Sequence, residues 1–126
     1  MGAIKSHEDL VVWNKAMQLA ELVYRETAAF PASEQFGLTN QVRRAAVSVP
    51  SNIAEGAGRN TSRELFQFLG VATASLAELR TQIELARRLG FLRADTRLES
   101  DAEVVSKLLT TLRKSIRSRL IPARGA

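Results

Sequence analysis

The sequence has no cysteine and a single histidine, His7. Without cysteine there is no disulfide and no thiolate metal site. Without an internal histidine the usual nucleophile–base pairs are missing, and the Glu-x-x-His pairs that line di-iron bundles are absent as well. Gly56-x-Gly58 is not a phosphate loop, because no Gly-Lys-Ser/Thr follows it and no strand pattern precedes it. Neither a catalytic residue, nor a metal, nor a cofactor is expected. Aromatic residues make up 6%, with one Trp and one Tyr, so no basic–aromatic platform for stacking successive bases is visible. No apolar run approaches the ~20 residues that span a bilayer. The opening MGAIKSHEDL lacks the apolar centre of a secretion signal. The expectation is a soluble, cytoplasmic chain that does not enter a membrane.

Positive charge is present in excess. Lys and Arg number 18 against 13 Asp and Glu, a net charge of +5. From Arg80 onward there are 11 basic and 5 acidic residues, against 7 and 8 before it. The excess therefore lies in the last two helices and the tail, where Arg113, Lys114, Arg117, Arg119 and Arg124 follow Leu112 with no acid among them. Such an asymmetry suits an anionic partner, nucleic acid first. It also suits a helix C-terminus that matches its own dipole.

The apolar pattern is helical throughout. It predicts an all-α, up-down-up-down antiparallel four-helix bundle, with helices over roughly 7–28, 39–57, 61–89 and 96–119. The chain forms one domain over 1–126, with 1–5 and 122–126 expected to fray. The first helix, with Ser6 as its cap, carries two apolar lines. Leu10, Trp13, Met17, Ala20 and Tyr24 form one, and Val12, Ala16, Leu19 and Val23 the other. So wide a band predicts contact on two sides, the core and a neighbouring subunit. Phe30, Phe36 and Leu38 are expected to plug the bundle end. Thr61-Ser62-Arg63-Glu64 and Thr96-x-x-Glu99 read as capping boxes. Leu65, Leu69, Ala72, Leu76, Leu79, Ile83 and Ala86 make a heptad seam in the third helix. Leu98, Ala102, Val105, Leu109, Leu112 and Ile116 make the seam of the fourth. Small residues from Gly70 to Ala77 predict a close approach to the second helix near Pro50.

That second helix has two unlike faces. Thr39 can cap it and Gly56 and Gly58 can end it. Val42, Ala45, Ala46, Val49 and Ile53 form its apolar stripe. Opposite lie Arg43, Arg44, Ser48, Ser51, Asn52, Glu55 and Arg59. One reading makes this a recognition face, with arginine forking onto phosphate. The other makes it a structural polar network of Ser48, Asn52, Glu55 and Arg59, with Glu55 paired to an arginine and Asn52 serving backbone groups freed by Pro50.

QVRRAAVSVPSNIAEG, within the longer match from Phe30 to Arg59, resembles the four-helix-bundle proteins first found encoded in intervening sequences of bacterial large-subunit rRNA genes. The resemblance continues through Glu64–Gly90 and more weakly through Asp9–Thr27. Ala74 and Arg80 depart from the family pattern, which has glycine and glutamate at these positions. The resemblance implies a homopentamer around a central channel. A relative accompanying diversity-generating reverse transcriptases binds nucleic acid and the polymerase through a positive surface. Carried over, this makes Arg43, Arg44, Arg87, Arg88, Arg113, Lys114 and Arg117 candidate nucleic-acid-binding residues, with RNA ahead of DNA. The function expected is a non-enzymatic oligomeric bundle that binds structured RNA. The alternative is a protein-binding scaffold or adaptor for a nucleic-acid enzyme.

Overall fold

The computed structural model describes residues 6–120. The expected fraying at 1–5 and 122–126, and Arg124, lie outside the described residues. Four α-helices follow one another: α1 (Val11–Thr27), α2 (Leu38–Ala57), α3 (Ser62–Arg88) and α4 (Leu98–Leu120). No strand occurs among the described residues. α1 packs on α2, α2 on α3, α3 on α4 and α4 on α1, and among the described residues no diagonal pair of helices brings its backbones as close. This is the cycle of a four-helix bundle with successive helices as neighbours. Cross-helix contacts run in opposite directions along the chain: Ser48 meets Ser75 and Gly56 meets Leu65 across α2–α3, and Arg87 meets Glu99, Arg80 meets Glu103 and Gly70 meets Arg113 across α3–α4. The order is therefore up-down-up-down.

The predicted stripes are the core. All of the α3 seam from Leu65 to Ala86 is buried, as are Val42, Ala45, Ala46, Val49 and Ile53 of α2. In α4 only Leu112 is less than fully buried. Val12, Ala16, Leu19 and Val23 supply the α1 share, so this line faces the core. It is Trp13, Met17 and Tyr24 that remain on the outside of the core.

Helix ends depart from the sequence reading where a tertiary neighbour takes over. His7–Asp9 is a separate 3-10 turn, and the Ser6 hydroxyl accepts the Glu8 N–H at 3.2 Å, so α1 starts at Val11 rather than His7. Thr39 is no cap. It is buried inside α2, while the Glu34 carboxylate reaches back to accept the Leu38 N–H at 3.0 Å. Thr96 works as half a box: its hydroxyl accepts the Leu98 N–H and donates to Glu26 of α1, and α4 starts at Leu98. Thr61 caps α3 as expected, accepting the Glu64 N–H at 3.1 Å. Gly90, at φ +77°, closes α3 through Phe91 N–H to Ala86 and Gly90 N–H to Arg87, the paired bonds of a Schellman stop. Phe30 and Leu38 are buried at that end, with Phe30 packed on Phe91 at 5.5 Å. Phe36 stands 89% exposed and plugs nothing.

Candidate functional site

The α2–α3 seam is close because its side chains are small. The Ser48 and Ser75 hydroxyls meet at 2.7 Å. The Asn52 amide donates to the Ser48 carbonyl at 2.8 Å and to its hydroxyl at 3.0 Å. Asn52 thus serves the helix backbone beside Pro50, at Ser48 rather than at Ala46. Glu55 and Arg59 are not part of this half-buried set. They form an exposed ion pair at 2.9 Å, and Arg59 lies over Phe68. The expected network is two separate groups, one at the seam and one at the α2–α3 turn.

Arg43 and Arg44 diverge as well. Arg43 donates to the buried Thr27 hydroxyl at 2.9 Å and to the Tyr24 carbonyl, with its guanidinium over the Tyr24 ring at 4.7 Å. It clamps the end of α1 to α2. Arg44 is exposed in a polar cleft of about 330 Å³ with Asn40, Gln41, Ser48 and Glu78.

The basic residues of the second half fall into two groups at opposite ends. Arg87 and Arg88 both bind Glu84, at 2.6 and 2.8 Å, and Arg87 also approaches Glu99 at 3.5 Å. Nearby, Arg93 pairs with Asp95 and Arg97 with Asp101. The hydrogen bonds from Arg87 and then Arg88 hold the Glu84 carboxyl down at about 2, well below the usual carboxylate range. A carboxyl with a lowered folded pKa adds stability above its unfolded pKa, lost as pH falls through the folded one. Acidification from pH 5 to 3 should therefore leave Glu84 ionised. Its side-chain carbonyl 13C shift should titrate with a midpoint near about 2; a midpoint in the ordinary range would mean that the pairs do not hold.

At the other end three cations are not matched among the described residues. Arg63 at the start of α3, and Lys114 and Arg117 near the end of α4, are exposed and have no carboxylate partner among the described residues. Arg113 is half-buried between them. Its guanidinium lies 4.7 Å from the Phe66 ring centre, and its Nε is buried with no acceptor. A buried donor left unmatched costs about 1–3 kcal/mol. Arg63 and Arg87 are about 36 Å apart along α3 at 1.5 Å per residue. The candidate cations therefore do not share one end of a single subunit. Arg63 was missed in the sequence, because it reads there as an interior position of a capping box.

A third feature had no strong sequence signal. Between α1 and α2 runs an open groove of about 700 Å³, lined by Trp13, Met17, Ala20, Tyr24, Val47, Pro50 and Ala54, among others. His7 closes it, its ring edge-on to Trp13 at 4.7 Å. Trp13, Met17 and Tyr24 of one α1 apolar line face this groove, whereas Val12, Ala16, Leu19 and Val23 of the other face the core. No described helix is long and apolar enough to cross a membrane. Among the described residues no group of His, Cys, Asp or Glu is arranged to hold a metal ion.

The model of one protein family, described as 23S rRNA-intervening sequence protein, matches residues 8–111. A similar solved structure is that of a protein of unknown function from the S23 ribosomal protein family of Bacteroides thetaiotaomicron. Its TM-score is 0.75 and its identity 21%, over 82% of this chain and 96% of that one, which establishes likeness of fold. No curated protein matches the sequence.

Proposed function

The chain belongs to the 23S rRNA-intervening sequence protein family, and on that premise we propose that it is a non-enzymatic, self-associating bundle that binds structured RNA by charge. The observation that carries this is the basic end: Arg63, Lys114 and Arg117 stand exposed without carboxylates among the described residues, whereas the cations of the opposite end are paired. Positive charge without internal partners is available to phosphate, and each phosphate neutralised releases counterions. The family description names 23S rRNA, which favours RNA over DNA. Arg44, exposed in its polar cleft, is a further candidate arginine with no ion pair among the described residues.

Self-association rests on the α1–α2 groove. Trp13, Met17, Tyr24 and Val47 form an open apolar patch of the kind that marks an interface. A second copy, as in a homopentamer, is the occupant proposed. Repetition of the basic end around a ring would turn weak phosphate contacts into avid binding. The same groove favours the second reading, a scaffold that docks a protein partner such as a nucleic-acid enzyme.

The experiment is binding of a labelled stem-loop RNA at 50 and 200 mM salt, with the mass of the protein species determined in both buffers. Steep loss of affinity with salt while the oligomer persists supports the proposal. Affinity that does not change with salt, or no affinity in an intact oligomer, removes the RNA reading and leaves the scaffold. A monomer at both salts, with Trp13→Glu unchanged in mass, removes self-association through the groove.

A further inference from the structure

Building on the RNA reading above, we propose that Arg113 anchors a phosphodiester subsite on the α3–α4 face, pre-positioned by Phe66 and Gly70. The guanidinium lies 4.7 Å from the Phe66 ring centre. One Nη stands 3.3 Å from where a Cβ on Gly70 would sit. Gly70 is in the middle of α3 and is not among the glycines with positive φ. A helix interior disfavours glycine relative to alanine, and no backbone conformation requires it here. What its missing side chain provides is room for the Arg113 guanidinium to lie against the helix.

The electrostatics of this arginine differ from those of its counterparts. Arg43, also half-buried, has the Thr27 hydroxyl and the Tyr24 carbonyl as acceptors. Arg59, also over a phenylalanine, has Glu55 and Glu64. Among the described residues Arg113 has the ring and no acceptor; its Nε is buried out of a ligand's reach, which leaves its Nη atoms to meet a phosphate. An apolar side chain would cover Phe66 and Gly70 without stranding a charged donor. A guanidinium fixed in place and free of carboxylate gives up no partner when it takes a phosphate oxygen, and little rotamer freedom is lost on binding. Arg117 follows one turn later on the same face of α4. Arg63 precedes Phe66 by one turn on α3, and Lys114 adjoins. Consecutive phosphates of one strand can be met by these neighbours.

The test separates position from charge. Arg113→Lys keeps the charge and loses the fixed fork. Gly70→Leu keeps every charge and fills the space under the guanidinium. Both are measured in the full chain against a labelled stem-loop RNA over a salt series, with helix content and thermal midpoint recorded. Each should weaken binding by about tenfold, and Gly70→Leu should lower the salt slope by about 1, the signature of one lost phosphate contact. Binding by the wild type that both variants leave within about twofold overturns the subsite alone and leaves charge-driven RNA binding standing. No binding by the wild type overturns both. Should Gly70→Leu unfold, Arg113→Lys decides.

Discussion

Gly56→Val is expected to lower the unfolding free energy by about 3 kcal/mol, at the upper end of what overpacking costs. Gly56 is buried in α2 where that helix crosses the start of α3. A Cβ there would stand 2.8 Å from the Phe68 Cβ, 3.2 Å from a Leu65 methyl and 3.3 Å from the Leu65 carbonyl oxygen. A Cβ contact so close to the root of another side chain and to backbone cannot be relieved by rotating a side chain. The helices must separate, and the Ser48–Ser75 contact at 2.7 Å further along the seam loosens with them. Gly58→Ala is the matched comparison: its nearest neighbours would be carbonyl oxygens at 3.7 Å and its φ is −85°. It should be close to neutral. Urea unfolding of both variants with an unchanged m-value reads the difference. A Gly56→Val protein as stable as wild type would mean that α2 and α3 are not locked by close approach.

Neutralising the unmatched basic end should be the largest functional effect. Arg63→Gln, Lys114→Gln and Arg117→Gln together remove three cations that carry no ion pair among the described residues. At 0.15 M salt and a slope of about 0.9 per phosphate, three lost contacts weaken RNA binding on the order of 100-fold. The comparison variant, Arg87→Gln with Arg88→Gln, changes two charges that Glu84 already holds at 2.6 and 2.8 Å. It acts at the far end of a 27-residue helix, several Debye lengths away, and should shift affinity within about threefold. If the two variants lose affinity equally, the RNA is held by total charge and not by one end of the bundle. If the first loses none while thermal stability falls, Lys114 and Arg117 serve the dipole of α4 instead.

Much of this molecule is legible in one dimension. The α3 seam, the α2 stripe and the Thr61 cap depend on residues three and four apart, so periodicity alone located them. The Ser48–Ser75 approach was foreseen because small side chains at Gly70 to Ala77 permit close backbones. Errors began where a distant residue competed for a local group. Thr39 reads as a cap, but Glu34 reaches the Leu38 N–H first. Thr96 reads as a box, but its hydroxyl turns to Glu26, seventy positions away in sequence. Phe36 reads as a plug, yet the chain reversal points it outward at 89% exposure.

The basic residues make the division sharpest. Their number, and their excess after Arg80, belong to composition and need no fold. Whether a given arginine is available does not. Arg43 is spent on Thr27 and Tyr24 and Arg80 on Glu103, whereas Arg113 meets only a phenylalanine ring, all on neighbouring helices. A charge interacts through space over a few ångströms, and those neighbours are 16 to 47 residues away along the chain. The α1–α2 groove has the same origin, since its walls come from two helices and neither stripe alone shows a cleft. Helix count, core stripes and net charge follow from spacing and composition, which are local or additive. Which cations are free, which apolar line is left uncovered and where a glycine makes room are set by helix packing, because each depends on what stands opposite.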